Sequence, residues 1–187
     1  MPRQVDHQAR RTQLAEALWR ITAERGLEAV TLRQVAAEAG VSMGLVQHYF
    51  HSKDEMLLFA HECLRERAGH RFASLALPDD PRDRLRHVLA ELLPLDEERV
   101  VEAHVALAFL ARAAVEPGMA ALLREGFVWL RDFLTAELHG LGVPDAEREA
   151  EVLLALHDGL VGQIVSGHHA VPSALAVLDA HLAKFHR

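Results

Sequence analysis

The run from Leu32 to Phe50 leaves this chain little conformational choice. It reads Leu-Arg-Gln-Val-Ala-Ala-Glu-Ala-Gly-Val-Ser-Met-Gly-Leu-Val-Gln-His-Tyr-Phe, two short apolar-periodic segments broken at Gly40. Thr31 precedes the first segment and Ser42 the second, each placed to accept a hydrogen bond from an amide of the helix it opens. Gly40 stands where a tight turn needs positive φ, which glycine adopts without steric cost. Ala36 is small where a second helix must pass close, and Val35 and Val46 are apolar where two helices pack on each other. Leu32, Val41 and Phe50 can seal the pair against neighbouring helices. The pattern predicts a helix-turn-helix over 31–50.

Once those positions are spent on packing, Met43, Gly44, Gln47, His48 and Tyr49 are left to face outward along a helix of about two turns. A helix of that size fits the major groove of DNA, where Gln and His pair with base edges and Tyr can meet phosphate. Thr31, Arg33, Ser42 and Lys53 lie at the margins of the same face and complete the candidate DNA-binding set.

Similar punctuation divides the rest of the chain, and no segment sustains the period-two alternation of a strand. A first helix is expected from about His7 to Arg25, with Leu14, Ala17, Leu18 and Ile21 on one face and a turn at Gly26. Ser52-Lys-Asp-Glu55 has the form of a capping box opening a long helix to about Leu75. Leu77-Pro-Asp-Asp-Pro81 reads as a boundary, with Asp80 as cap and Pro81 in the first turn. Further helices are expected over 81–93, 96–115, 119–140, 144–168 and 172–186. The fold class is therefore all-α: about nine helices, a three-helix helix-turn-helix domain over 8–68, then a helical ligand-binding and dimerisation domain over 80–187.

Charge is divided along the same line. The chain carries a net −7, which by itself speaks against nucleic acid. Residues 1–71, however, sum to +1, and residues 72–187 to −8. Only the first segment can approach phosphate without repulsion. One cysteine, Cys63, excludes an internal disulfide and fits a reducing cytosol. The polar N-terminus lacks a signal peptide's apolar core, and the apolar stretch Val152–Val165 is too short to span a bilayer. A cytoplasmic protein without membrane contact is expected.

The stretch from Thr31 through Phe50 to His51-Ser-Lys-Asp-Glu-Met-Leu57 resembles the signature of the tetracycline-repressor (TetR) family. The likeness covers roughly residues 8–60, including Ala9-Arg-Arg at the start of the first helix and the Arg25-Gly26-Leu27 turn. It implies a homodimeric transcription repressor that binds double-stranded operator DNA and releases it when a small-molecule effector moves the two DNA-reading heads apart. That family often has Tyr at the position of Gln47. Gln47-His48-Tyr49-Phe50 is closer to a variant in regulators resembling the choline-responsive betaine-pathway repressor, and Tyr49 and Lys53 become the phosphate candidates.

In the second half, a few polar groups interrupt apolar stripes. His104 stands among Val101, Leu107, Ala108 and Ala111, and His157 among Leu153, Leu160 and Ile164. With Phe109, Trp129 and Phe133 they form the candidate effector set, because pockets are mostly apolar with few placed polar groups. The last helix carries Leu175, Leu178, Leu182 and Phe185, spaced by three, four and three. Together with Leu160 and Ile164 they make the candidate dimer seam.

Two features of the sequence resemble enzyme signatures. Gly40-Val-Ser-Met-Gly44 matches the nucleophile elbow of serine hydrolases, but that elbow needs a strand before the Ser, and Ser42 follows a helical segment. Thirteen histidines suggest metal, yet no Glu-x-x-His or His-x-x-x-His pair aims two ligands from one helix. No catalytic residue, metal or cofactor is expected. The remaining alternative is a constitutive helix-turn-helix binder without an effector.

Overall fold

The computed structural model describes the backbone of residues 2–185 and the side chains of residues 7–185. Among the described residues there are nine α-helices, two short 3-10 turns and no strand. The chain divides into a first unit, Met1–Ala73 with His104–Phe109, and a second, Ser74–Ala103 with Leu110–Arg187.

In the first unit, α1 (Pro2–Arg25) begins ahead of the expected His7. It buries Leu14, Leu18 and Ile21 completely, one turn apart on a single face. Gly26 then leads into a 3-10 turn, Leu27–Ala29, where the sequence predicted only a reversal. The helices α2 (Leu32–Glu38), α3 (Met43–Tyr49) and α4 (Lys53–Ser74) follow. Val35, Val46, Phe50 and Met56 are fully buried between them, each worth about 1.5–3 kcal/mol of apolar transfer. The Trp19 indole N–H donates to the Ala60 carbonyl at 3.3 Å, pinning α1 to α4. The Arg11 guanidinium lies over the Phe59 ring at 4.0 Å from its centroid.

The local caps explain why the short helices start where they do. The Thr31 hydroxyl oxygen accepts from the Gln34 amide at 3.1 Å, and that of Ser42 from the Leu45 amide at 3.2 Å. The Ser52 hydroxyl oxygen accepts from the Glu55 amide at 3.1 Å. The reciprocal half of this capping box reaches one residue further back than expected: the Glu55 carboxylate accepts from the amide of His51 at 2.8 Å, not that of Ser52.

The second unit contains α5 (Pro81–Glu91), most of α6 (Glu97–Ala113), α7 (Pro117–Gly140), α8 (Ala146–Val165) and α9 (Val171–Leu182). A 3-10 turn, Ala183–Phe185, ends the described chain, and the expected helix end at His186 lies outside the described residues. The helix expected from residue 119 begins two residues earlier, with Pro117 in the first turn of α7, where its missing N–H costs nothing. Leu85, Leu89, Leu134, Leu138 and Leu153 are fully buried. Polar pairs at the edge of this core each join two helices: the ion pairs Arg84 to Glu137 at 2.8 Å and Arg86 to Asp179 at 2.6 Å, and a hydrogen bond between His181 and Glu149 at 2.6 Å.

Candidate nucleic-acid interface and effector region

The geometry of α3 follows from what its neighbours bury. Val46 of α3 is fully buried, as Val35 and Ala36 are buried on the adjoining α2, so the opposite side of a seven-residue helix must face solvent. Gln47 and His48 are exposed there, as are Met43 and Gly44. Thr31 and Arg33 are exposed on the neighbouring helix and its cap, and Ser42 is exposed at the cap of α3. Both cap hydroxyls accept from backbone amides, which leaves each O–H available to donate outward, to a phosphate oxygen for instance.

Tyr49 is half-buried. Its ring packs 5.1 Å from that of His48 and 4.6 Å from that of His7 on α1. Lys53 is also half-buried, and its ammonium donates to the Leu27 carbonyl at 3.2 Å. One of its three N–H donors thus secures the 3-10 turn, and two remain.

The five candidate effector residues do not fall in one unit. His104 and Phe109 belong to the stretch of α6 grouped with the first unit, whereas Trp129, Phe133 and His157 belong to the second. Phe109 is fully buried and packs edge-on against His61, centroids 5.7 Å apart. Its side chain is committed to the core. Trp129 is 54% exposed rather than enclosed, and it stacks on Phe133 at 6.1 Å.

His157 is the residue in this set with unused chemistry. It is 7% exposed, and its Nε2 is buried without a hydrogen-bond partner. Its Nδ1 lies 3.6 Å from a carboxylate oxygen of Asp158, beyond hydrogen-bond length. An unmatched buried polar atom costs about 1–3 kcal/mol, a cost that a bound group would relieve.

The expected dimer seam is divided. Leu160, Leu178 and Leu182 are buried within the single chain, at 3%, 1% and 1% exposure, so their side chains are already occupied inside the protomer. Ile164, Leu175 and Phe185 are half-buried. The outward sides of the two helices carry Val152, Ala155 and Gly159 on α8, and Ala176, Val177 and Ala180 on α9, all exposed.

His7 and His61 lie in no motif, and each packs against a ring distant in sequence, Tyr49 and Phe109 respectively. Among the described residues no group of three or more His, Cys, Asp or Glu could hold a metal ion, and no helix is long and apolar enough to cross a membrane.

Residues 14–59 match the family model described as bacterial regulatory proteins, tetR family, and residues 81–187 that described as BetI-type transcriptional repressor, C-terminal. The HTH-type transcriptional regulator PksA of Bacillus subtilis is 39% identical over 166 residues, which cover 86% of this chain and 80% of that protein. The crystal structure of a transcriptional regulator from Rhodococcus sp. Rha1 is 39% identical, with a TM-score of 0.88 over 94% of this chain and 95% of that one. A transcriptional regulator from Saccharomonospora viridis, crystallised in complex with choline, shares the fold at 24% identity and a TM-score of 0.78, over 95% of each chain.

Proposed function

This chain belongs to the TetR family of bacterial regulatory proteins, as a DNA-binding transcriptional regulator with a BetI-type C-terminal half, and on that premise we propose that it is a homodimeric repressor released from a pseudo-palindromic operator by a small molecule. Residues 8–68 form its DNA-binding domain, with the reading motif over 31–50, and residues 80–187 bind effector and partner. The observation that carries this reading is the exposure of Gln47 and His48 on a helix whose inner side is anchored by Val46. Gln47 and His48 read base edges, Met43 and Gly44 line the approach, and Thr31, Arg33, Ser42, Tyr49 and Lys53 hold the sugar-phosphate backbone.

The partner surface is the outward side of α8 and α9, around Val152, Gly159, Ala176 and Val177, bordered by Ile164, Leu175 and Phe185. Small residues at 155, 159, 176 and 180 allow two helices to approach closely. The orphaned Nε2 of His157 and the Trp129–Phe133 stack favour an effector that brings a hydrogen-bonding group and an apolar or cationic face. A compact cation suits the −8 net charge of residues 72–187 and the affinity of aromatic rings for quaternary ammonium groups. Release requires that the effector bind the DNA-incompetent arrangement better than the competent one. The working compartment is the cytoplasm, where operator DNA is reached.

Selection of bound sequences from a random DNA pool tests the first part, and recovery of a two-fold site supports it. Quaternary ammonium compounds, choline first, are then titrated for release. Recovery of no preferred sequence overturns the repressor reading, and failure of every cation to release bound DNA overturns the effector class.

A further inference from the structure

Three rings meet where α1 passes the end of α3. The His7 and Tyr49 centroids are 4.6 Å apart with planes tilted by 58°, and His48 lies 5.1 Å from Tyr49 and 6.4 Å from His7. His7 and His48 are exposed and Tyr49 is half-buried. Val46, in the same helix, is fully buried. The reading helix is therefore anchored on one side by its own core, while its last turn is braced on the other side by a residue from a different helix.

From this contact we infer that His7 is a positioning residue for DNA recognition: its ring holds the Tyr49 phenol, and with it the neighbouring His48, in the orientation that meets the duplex. The DNA-reading surface then includes a turn of α1 as well as α3. The inference rests on the DNA-reading role of α3 proposed above. Tyr49 ends its helix, where the Phe50 φ of −139° turns the chain away, so no following helical residue packs over the ring. A half-exposed phenol in that place has several rotamers open to it, and an aromatic neighbour at this distance selects one. Such pairs are worth about 0.5–1.5 kcal/mol beyond simple burial, enough to favour one rotamer over another.

Tyr49 is the sole tyrosine of the chain, so selectively isotope-labelled tyrosine reports on it alone. In the DNA-free full-length protein, His7→Ala is expected to shift the Tyr49 ring signals while lowering the melting temperature by no more than the few degrees that one ring contact supports. Operator affinity is expected to fall about two- to tenfold, the range such a pair supports. His7→Phe, which keeps the ring and removes the imidazole nitrogens, is expected to restore both affinity and ring signals. In a Tyr49→Ala background, His7→Ala is expected to cause no additional loss.

Unmoved ring signals, or additive losses in the double variant, overturn the inference. It is also overturned if His7→Phe binds as weakly as His7→Ala with the salt slope reduced by about one unit, because His7 would then contact phosphate directly. If His7→Ala shifts the ring signals but the wild-type chain selects no DNA sequence, the contact stands and its role falls together with the repressor reading.

Discussion

The amide of Val41 donates to the carbonyl of Ala36 across 2.9 Å, a bond that reaches back over the end of α2 and closes the turn into α3. It forms because Gly40 stands at φ 67°. The Gly40 amide adds a second bond, to the Ala37 carbonyl at 3.2 Å, which completes the paired-bond helix ending that favours glycine at this position. Apart from Gly40 and its chain neighbours, no atom lies within 4 Å of the position a Cβ would take, so backbone strain alone opposes substitution.

Gly40→Ala is accordingly expected to destabilise the protein by about 1–2 kcal/mol, the cost of placing a side-chain-bearing residue in the left-handed region. Denaturant unfolding measures it. An unchanged midpoint would show that the turn relaxes to another conformation at no cost.

Substitutions on the reading face are expected to separate into two classes. Gln47→Ala and His48→Ala each cost about 1–3 kcal/mol at particular operator positions and relax the preference there. Lys53→Ala weakens all sequences alike and lowers the salt slope by about one unit. Because the Lys53 ammonium also holds the Leu27 carbonyl, its loss is also expected to reduce thermal stability slightly. Binding to operator variants at several salt concentrations checks this, and a change in base preference from Lys53→Ala would reverse the assigned roles.

The divided seam predicts two distinct phenotypes. Val152 and Val177 are 42% and 38% exposed in the protomer, and Val152→Glu with Val177→Glu is expected to yield folded monomers where the wild type sediments as a dimer. Leu178, at 1% exposure, is part of the protomer core, and Leu178→Ala is expected to cost about 2–5 kcal/mol in folding. A wild type that sediments as a monomer at micromolar concentration removes the dimer from the proposal.

Acid sensitivity is expected from His61. Burial pushes its imidazole below the ordinary value of 6.5, with Glu62 opposing and Arg65 assisting. The native state therefore favours the neutral ring, and below pH 6.5 the unfolded chain takes up a proton that the folded chain resists. This contribution to stability is complete above that pH and is lost as pH falls through it towards the lower native value. His61→Phe is expected to flatten the dependence, measured as unfolding midpoints at about pH 7.5 and about pH 5.5. A variant whose midpoint falls as steeply as the wild type's would place the sensitivity elsewhere.

The amino-acid sequence by itself determined the helix-turn-helix, because everything that specifies it acts within one short stretch of the chain. Thr31 and Ser42 cap the amides three positions on, Gly40 turns its own backbone, and Val35 and Val46 need only each other's helix. Asp80 and Pro81 set the start of α5 in the same local way. The sequence could not determine which side of an apolar helix faces its own chain. Helices α8 and α9 carry apolar residues around much of their circumference, and periodicity alone does not show that Leu160, Leu178 and Leu182 turn inward while Val152 and Val177 turn out. Packing against α5 and α7 decides it, through residues far away in the chain. Distant neighbours also enclose Phe109, leave Trp129 exposed, deprive the His157 Nε2 of a partner and set His7 against Tyr49. Each of these depends on which helices meet, and burial is settled only when they do.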